Sequence, residues 1–129
     1  CSGEPHLSHM VSFLGFLRKE EQPAYYNLVD IFVLPSREDG WGMVLAESLA
    51  AGTPVVSTTG VLSARELVQE GINGYVVEPN DASALKTAIQ KCLRLAVLAS
   101  KHDIHLTSAQ CDSRNVALKL ESILLSSNV

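Results

Sequence analysis

Three short apolar runs, each edged by a turn residue, constrain this chain more than any other feature. They are "IFVLPS" (31–36), "TPVVSTT" (53–59) and "NGYVVEP" (73–79). Continuous apolar runs of this length fit strands buried on both faces, the habit of parallel sheets. The stretches between them have helical character. "QPAYYNLVD" (22–30) places Pro23 near a first helical turn. "WGMVLAESLAAG" (41–52) favours a helix through Ala and Leu, with Gly52 where a C-terminal cap belongs. "SARELVQEG" (63–71) offers Ser63 as N-cap with Glu66 three residues on, a capping box, and Gly71 closes it. From Asp81 onward, Leu85, Ala88, Ile89 and Cys92 share one face at helical spacing, and "NVALKLESILL" (115–125) repeats the pattern. "KHDIHLTSAQCDS" (101–113) has no clear period and reads as a turn or loop. "VSFLGF" (11–16) reads as a further strand. Strand and helix in alternation predict βαβ units. The expected fold is therefore α/β: a Rossmann-like parallel sheet of about four strands near 11–16, 31–35, 54–58 and 74–77, with helices on both faces.

Composition narrows the function classes. The 129 residues suit one small domain, and 47% apolar with 19% charged residues fits a globular chain rather than a disordered one. A net charge of −4 without a basic stripe argues against nucleic acid as a partner. No apolar stretch approaches the ~20 residues of a membrane span, and no signal peptide opens the chain. Cys1, Cys92 and Cys111 form an odd, scattered set, the pattern of reduced thiols and a cytoplasmic setting. The opening "CSGEPHLSHM" reads as a mid-chain loop, so a piece of a larger protein is expected.

The stretch "SREDGWGMVLAE" (36–47) concentrates the candidate chemistry. It follows the strand that stops at Pro35, and parallel sheets bind ligands beyond the carboxyl ends of their strands. Gly40 and Gly42 remove side-chain bulk before a helix N-terminus, whose free N–H groups suit a phosphate or sugar oxygen. Glu47 follows Met43 by one helical turn, so both face the same way. A carboxylate accepts two hydrogen bonds, and a vicinal diol such as ribose supplies two donors. A nucleoside-diphosphate sugar would use both halves of the stretch. Asp39 equally reads as an N-terminal cap, and Glu47 as a solvated helix face.

"FVLPSREDGWGMVLAESLAAGTPVVSTTGVLSARELVQEGINGYVVEPND" resembles the C-terminal, donor-binding domain of family 4 retaining glycosyltransferases (glycosyl transferase group 1) of the GT-B fold. The ensemble comprises Pro-Ser after a strand, an acidic-Gly-aromatic-Gly loop, an acid eight positions after the first, Ala-Gly-Thr-Pro-Val-Val, and Asn-Gly before the last strand. The resemblance covers residues 11–91, leaving 92–129 as C-terminal helices of a single partial domain spanning 1–129. It implies that Asp39, the shorter acid at the first position of the family's paired-acid signature, holds donor-sugar hydroxyls beside the reacting carbon as the catalytic-site residue. Glu47 would bind the ribose. Gly40, Gly42, Met43 and Val44 would approach sugar and diphosphate, and Gly15, Phe16 and Leu17 would contact the base. Of the two glycines common at Thr59-Gly60-Val61, one is present, which weakens that loop's claim to a contact.

The implied activity is transfer of a hexose-type sugar from a nucleotide donor to a glycan, lipid or small-molecule acceptor. No cofactor and no metal are expected. The implied setting is cytoplasmic, with peripheral membrane association for the whole enzyme. Two strands bearing the family's Gly-Arg and Lys-Gly motifs, and the acceptor-binding N-terminal domain, are not found before Val11. This chain alone is therefore expected to be inactive, and its first strand to seek a homodimer or strand exchange. The alternatives are a nucleotide-sugar 2-epimerase-like domain and a non-catalytic nucleotide-binding or interaction module. Glu66 matches a family glutamate, but its capping box explains it as well. His102 with His105, and His6 with His9, have metal-compatible spacing without a third ligand. Cys92 reads as a core thiol. Tyr25, Tyr26 and Trp41 read as packing residues, with Trp41 also a candidate for the donor pocket.

Overall fold

The computed structural model describes residues 9–107. Three strands, β1 (Phe32–Leu34), β2 (Val55–Thr58) and β3 (Gly74–Val77), pair in parallel in the order β1-β2-β3. Val33 lies beside Val56, and Val56 beside Tyr75, so one pleat runs through all three. Among the described residues five helices accompany them: α1 (Gln22–Leu28), α2 (Met43–Ala50), α3 (Leu62–Leu67), α4 (Ala82–Leu98) and α5 (Lys101–Thr107).

The period-two geometry of a strand splits the core into two layers. Val55, with Phe32, Leu34 and Val76, faces Leu45, Leu49, Ala64, Leu67 and Ile104 of α2, α3 and α5. Val56, with Val33, Tyr75 and Val77, faces Ala88 and Cys92 of α4, and Leu85 and Ile89 pack around them. Helices on both faces of a parallel sheet are what the apolar runs predicted. β2 alone is buried along its whole length. β1 is half-buried throughout, because it is an edge strand and only one of its sides is paired.

Several expectations need correction. The fourth strand is absent among the described residues: residues 11–16 join no sheet there, and Phe13 and Phe16 are 85% and 92% exposed. An extended apolar segment becomes a strand only when a neighbouring edge satisfies its N–H and C=O groups. This one has no such neighbour among the described residues, and Gly15 turns it with φ +67°. The helix foreseen from Trp41 begins at Met43, with Gly42 as N-cap at φ +68° and no side-chain cap. Ser63 does not cap α3. Val61 holds that position, and the Ser63 hydroxyl instead donates to the Gly42 carbonyl at 3.1 Å. α3 ends at Leu67, four residues before Gly71. Residues 101–107, read as loop, form α5. Its Ile104 is buried against α2, and its Lys101 Nζ donates to Thr53 Oγ1 at 3.2 Å. The helix expected at 115–125 lies outside the described residues. Gly52 does close α2, at φ +84°, and Asp81 caps α4 by accepting from the Ala84 N–H at 2.9 Å.

Candidate functional site

The loop from Ser36 to Gly42 leaves the carboxyl end of β1 and is held by a second loop, residues 59–61, that leaves β2. The Asp39 N–H donates to the Gly60 carbonyl at 3.1 Å, and Asp39 and Val61 form an isolated parallel bridge. The Leu62 N–H reaches the Gly40 carbonyl at 3.3 Å, and the Ser63 N–H the Trp41 carbonyl at 3.2 Å. The Thr58 hydroxyl donates to the Ser36 carbonyl. Two glycines make this contact possible. A Cβ on Gly60 would lie 2.1 Å from the Arg37 carbonyl oxygen, and one on Gly42 would lie 2.7 Å from Val61 Cγ1. Gly42 also needs its left-handed backbone, which disfavours any side chain. Gly40 has no neighbour that a Cβ would meet, so the bulk argument applies to Gly42 and Gly60 rather than to Gly40. The single Gly60 thus supports the acidic loop by backbone contact.

Asp39 is exposed, three residues before the Gly42 N-cap, and is not that cap. Burial of Leu45, Ala46, Ser48 and Leu49 turns the opposite side of α2 outward, carrying Met43 (exposed) and Glu47 (half-buried). Glu47 lines a groove of about 440 Å³ between α1 and α2, with Lys19, Pro23, Tyr26 and Asn27 on its walls. Asp39 is not among the residues that line that groove. On the other side of α1, Gly15, Phe16 and Leu17 meet Val44, Tyr25 and Phe32 around an apolar groove of about 490 Å³. The structure therefore brings Gly15, Phe16 and Leu17 to the same groove as Val44 in the first turn of α2, although they form no strand.

Sequence reasoning missed one partner of the site. The Tyr26 hydroxyl donates to Glu47 Oε2 at 3.4 Å, across 21 residues of chain. Tyr26 is buried, its ring edge-on to Phe32 with centroids 5.4 Å apart. Burial first, then the Glu47 charge and hydrogen bond, push the phenol up to about 12. The sequence reads Tyr25 and Tyr26 alike as packing residues, and no local signal names the acid that Tyr26 meets.

Trp41 is half-buried, and its indole N–H is enclosed without a partner among the described residues. His105 Nδ1 lies 2.6 Å from the Ala50 carbonyl at the end of α2, a structural contact. No group of three metal-ligating side chains occurs among the described residues. Glu66 is exposed on α3. Cys92 is buried, and that burial raises its thiol to about 11, as a core thiol requires.

Residues 3–105 match the family described as Glycosyl transferases group 1. The chain belongs to that family. It is 35% identical over 86 residues to an uncharacterised glycosyltransferase of Methanocaldococcus jannaschii, covering 66% of this chain and 22% of that protein. It is 34% identical over 84 residues to the O-antigen chain mannosyltransferase B of Escherichia coli, 65% of this chain and 21% of that protein. Identity to a D-inositol 3-phosphate glycosyltransferase of Geodermatophilus obscurus is 32% over 94 residues, 73% and 21% of the two chains. The chain thus spans about a fifth of the length of these curated relatives. No described helix is long and apolar enough to cross a membrane.

Proposed function

We propose that this chain is the donor-binding part of a retaining, family 4-type glycosyltransferase, and that it holds a nucleoside-diphosphate hexose for transfer to a glycan, lipid or small-molecule acceptor. The observation that carries the reading is Glu47: a half-buried carboxylate at a groove, one helical turn after Met43 and eight positions after Asp39, in a chain of this family. Its two oxygens suit the two hydroxyls of a ribose. The apolar groove at Gly15, Phe16, Leu17 and Val44 suits the flat face of a base. Gly42, Met43 and Val44 open α2, where backbone N–H groups favour diphosphate oxygens. Gly40 lies beside them with no side chain to intervene. The relatives named for mannosyl and glycosyl transfer favour transfer over epimerisation.

Asp39 then orients the donor sugar rather than moving a proton. Catalysis rests on positioning and charge stabilisation, with the leaving phosphate helping to take the acceptor's proton. The donor is a substrate, and neither metal nor cofactor enters the scheme. The natural setting proposed is cytoplasmic, with the remaining enzyme supplying the acceptor site.

Calorimetry with UDP, GDP and ADP sugars tests the reading. Glu47→Ala should weaken binding by about 1–3 kcal/mol, the cost of losing a charged acceptor. Unchanged affinity on an intact fold would remove Glu47 from the site. With the acceptor domain present, Asp39→Asn should lower turnover and spare nucleotide affinity, and loss of affinity would move Asp39 from the sugar to the nucleotide.

A further inference from the structure

We infer that Tyr26 is a positioning residue for Glu47: its phenol occupies one lone pair of carboxylate Oε2 and fixes the group, leaving Oε1 and the second lone pair of Oε2 to meet a ligand diol. The inference rests on Glu47 being the diol acceptor proposed above. A glutamate on an open helix face samples several rotamers, and each one frozen on binding costs affinity. A buried donor on one oxygen removes part of that cost beforehand.

Tyr26 is built to be such a donor. Its ring is fixed edge-on against Phe32. Its backbone carbonyl accepts from the Thr53 hydroxyl, and Thr53 Oγ1 in turn accepts from Lys101 Nζ at 3.2 Å. Tyr26 is thus anchored from β1, from the turn before β2, and from α5, three places outside its own helix. A phenol that ionises only near 12 keeps its proton at every pH where the protein would work, so it can only donate to the carboxylate. The 3.4 Å contact is long for O–H···O, so it orients the carboxylate more than it binds it. A plain packing role would need the ring and not the hydroxyl, and the hydroxyl is the atom that meets Glu47.

The test is calorimetry on the full chain with UDP, GDP and ADP and with their 2′,3′-dideoxy counterparts, for wild type, Tyr26→Phe, Glu47→Gln and the double variant. Tyr26→Phe should weaken the ribose ligands about three- to tenfold and leave the dideoxy ligands unchanged. The double variant should bind ribose ligands no more weakly than Glu47→Gln alone, since the hydroxyl acts only through the carboxylate. A structural role would weaken both ligand sets together. Because general loosening of the fold moves both sets alike, the ratio of the two affinities stays readable even if Tyr26→Phe melts early. A wild-type chain that binds none of the nucleotides, or an unchanged ratio in Glu47→Gln, would overturn the reading of Glu47 and this inference with it. A reduced ratio in Glu47→Gln beside an unchanged one in Tyr26→Phe would overturn the inference alone.

Discussion

The loop from Ser36 to Gly42 and the segment from Val11 to Leu17 both carry candidate ligand contacts, yet they are held in opposite ways. The first is clamped by backbone hydrogen bonds to residues 60–63 and by glycines that let two backbones touch. The second has no strand partner among the described residues, and the Gln22 side chain tethers its end by donating to the Leu17 carbonyl at 3.3 Å. Its phenylalanines stand out from the molecule. Shape in the first region comes from close packing, where a single atom matters. Shape in the second owes little to packing within the described residues.

Alanine at three glycines should expose this contrast most strongly. Gly60→Ala forces a Cβ to within 2.1 Å of a backbone oxygen, which no rotamer can relieve. It should cost about 3 kcal/mol or more. Gly42→Ala meets a Val61 methyl at 2.7 Å and adds the left-handed backbone penalty, for a loss of about 2–3 kcal/mol. Gly15→Ala has the same backbone sign and open space around it, so about 1–2 kcal/mol is expected. Urea melts rank the three. Equal losses at Gly15 and Gly60 would break the comparison.

The same contrast shows how much the sequence disclosed. β2 and β3 were legible because their apolar runs sit inside a sheet that uses both faces of each strand. "VSFLGF" carries an equally apolar run, but pairing is a property of two segments, and no partner appears for this one among the described residues. The capping box at Ser63 failed for a related reason: its hydroxyl is taken by the Gly42 carbonyl, 21 residues away. α5 escaped notice because Ile104 is its only buried residue; part of its hold on the fold comes from the Lys101 and His105 side chains reaching Thr53 and Ala50. In the site, the paired acids and the glycine loop were readable as motifs. The clamp at Gly60 and the phenol on Glu47 are tertiary contacts, and neither leaves a periodic trace.

A smaller effect should appear at alkaline pH. Tyr26 and Cys92 both have folded values above their unfolded ones, at about 12 against 10 and about 11 against 9. Each binds its proton more tightly when folded. Their contributions are therefore complete below the unfolded values and are lost as pH rises through the folded ones. Stability should fall across pH 9 to 12, and Tyr26→Phe should flatten the part of the fall above pH 10. Urea melts at pH 9, 10 and 11 check this. An unchanged slope in Tyr26→Phe would mean that the phenol ionises as easily in the fold as out of it.

The smallest stability effect belongs to the least packed side chains. Phe13 and Phe16 are so exposed that replacing both by Ser removes almost no buried area. The double variant should melt within about 0.5 kcal/mol of wild type. Leu45→Ala, in the layer that α2 builds against the sheet, should cost about 2–5 kcal/mol. A site residue need not be a folding residue, and the pair of experiments separates the two. If the groove beside Val44 seats a base, the loss of Phe16 in this variant should weaken nucleotide binding while the melt stays put. A large drop in stability would instead show that these rings are buried in solution, which would place the Val11–Leu17 segment in the packed part of the molecule and dissolve the contrast with the Asp39 loop.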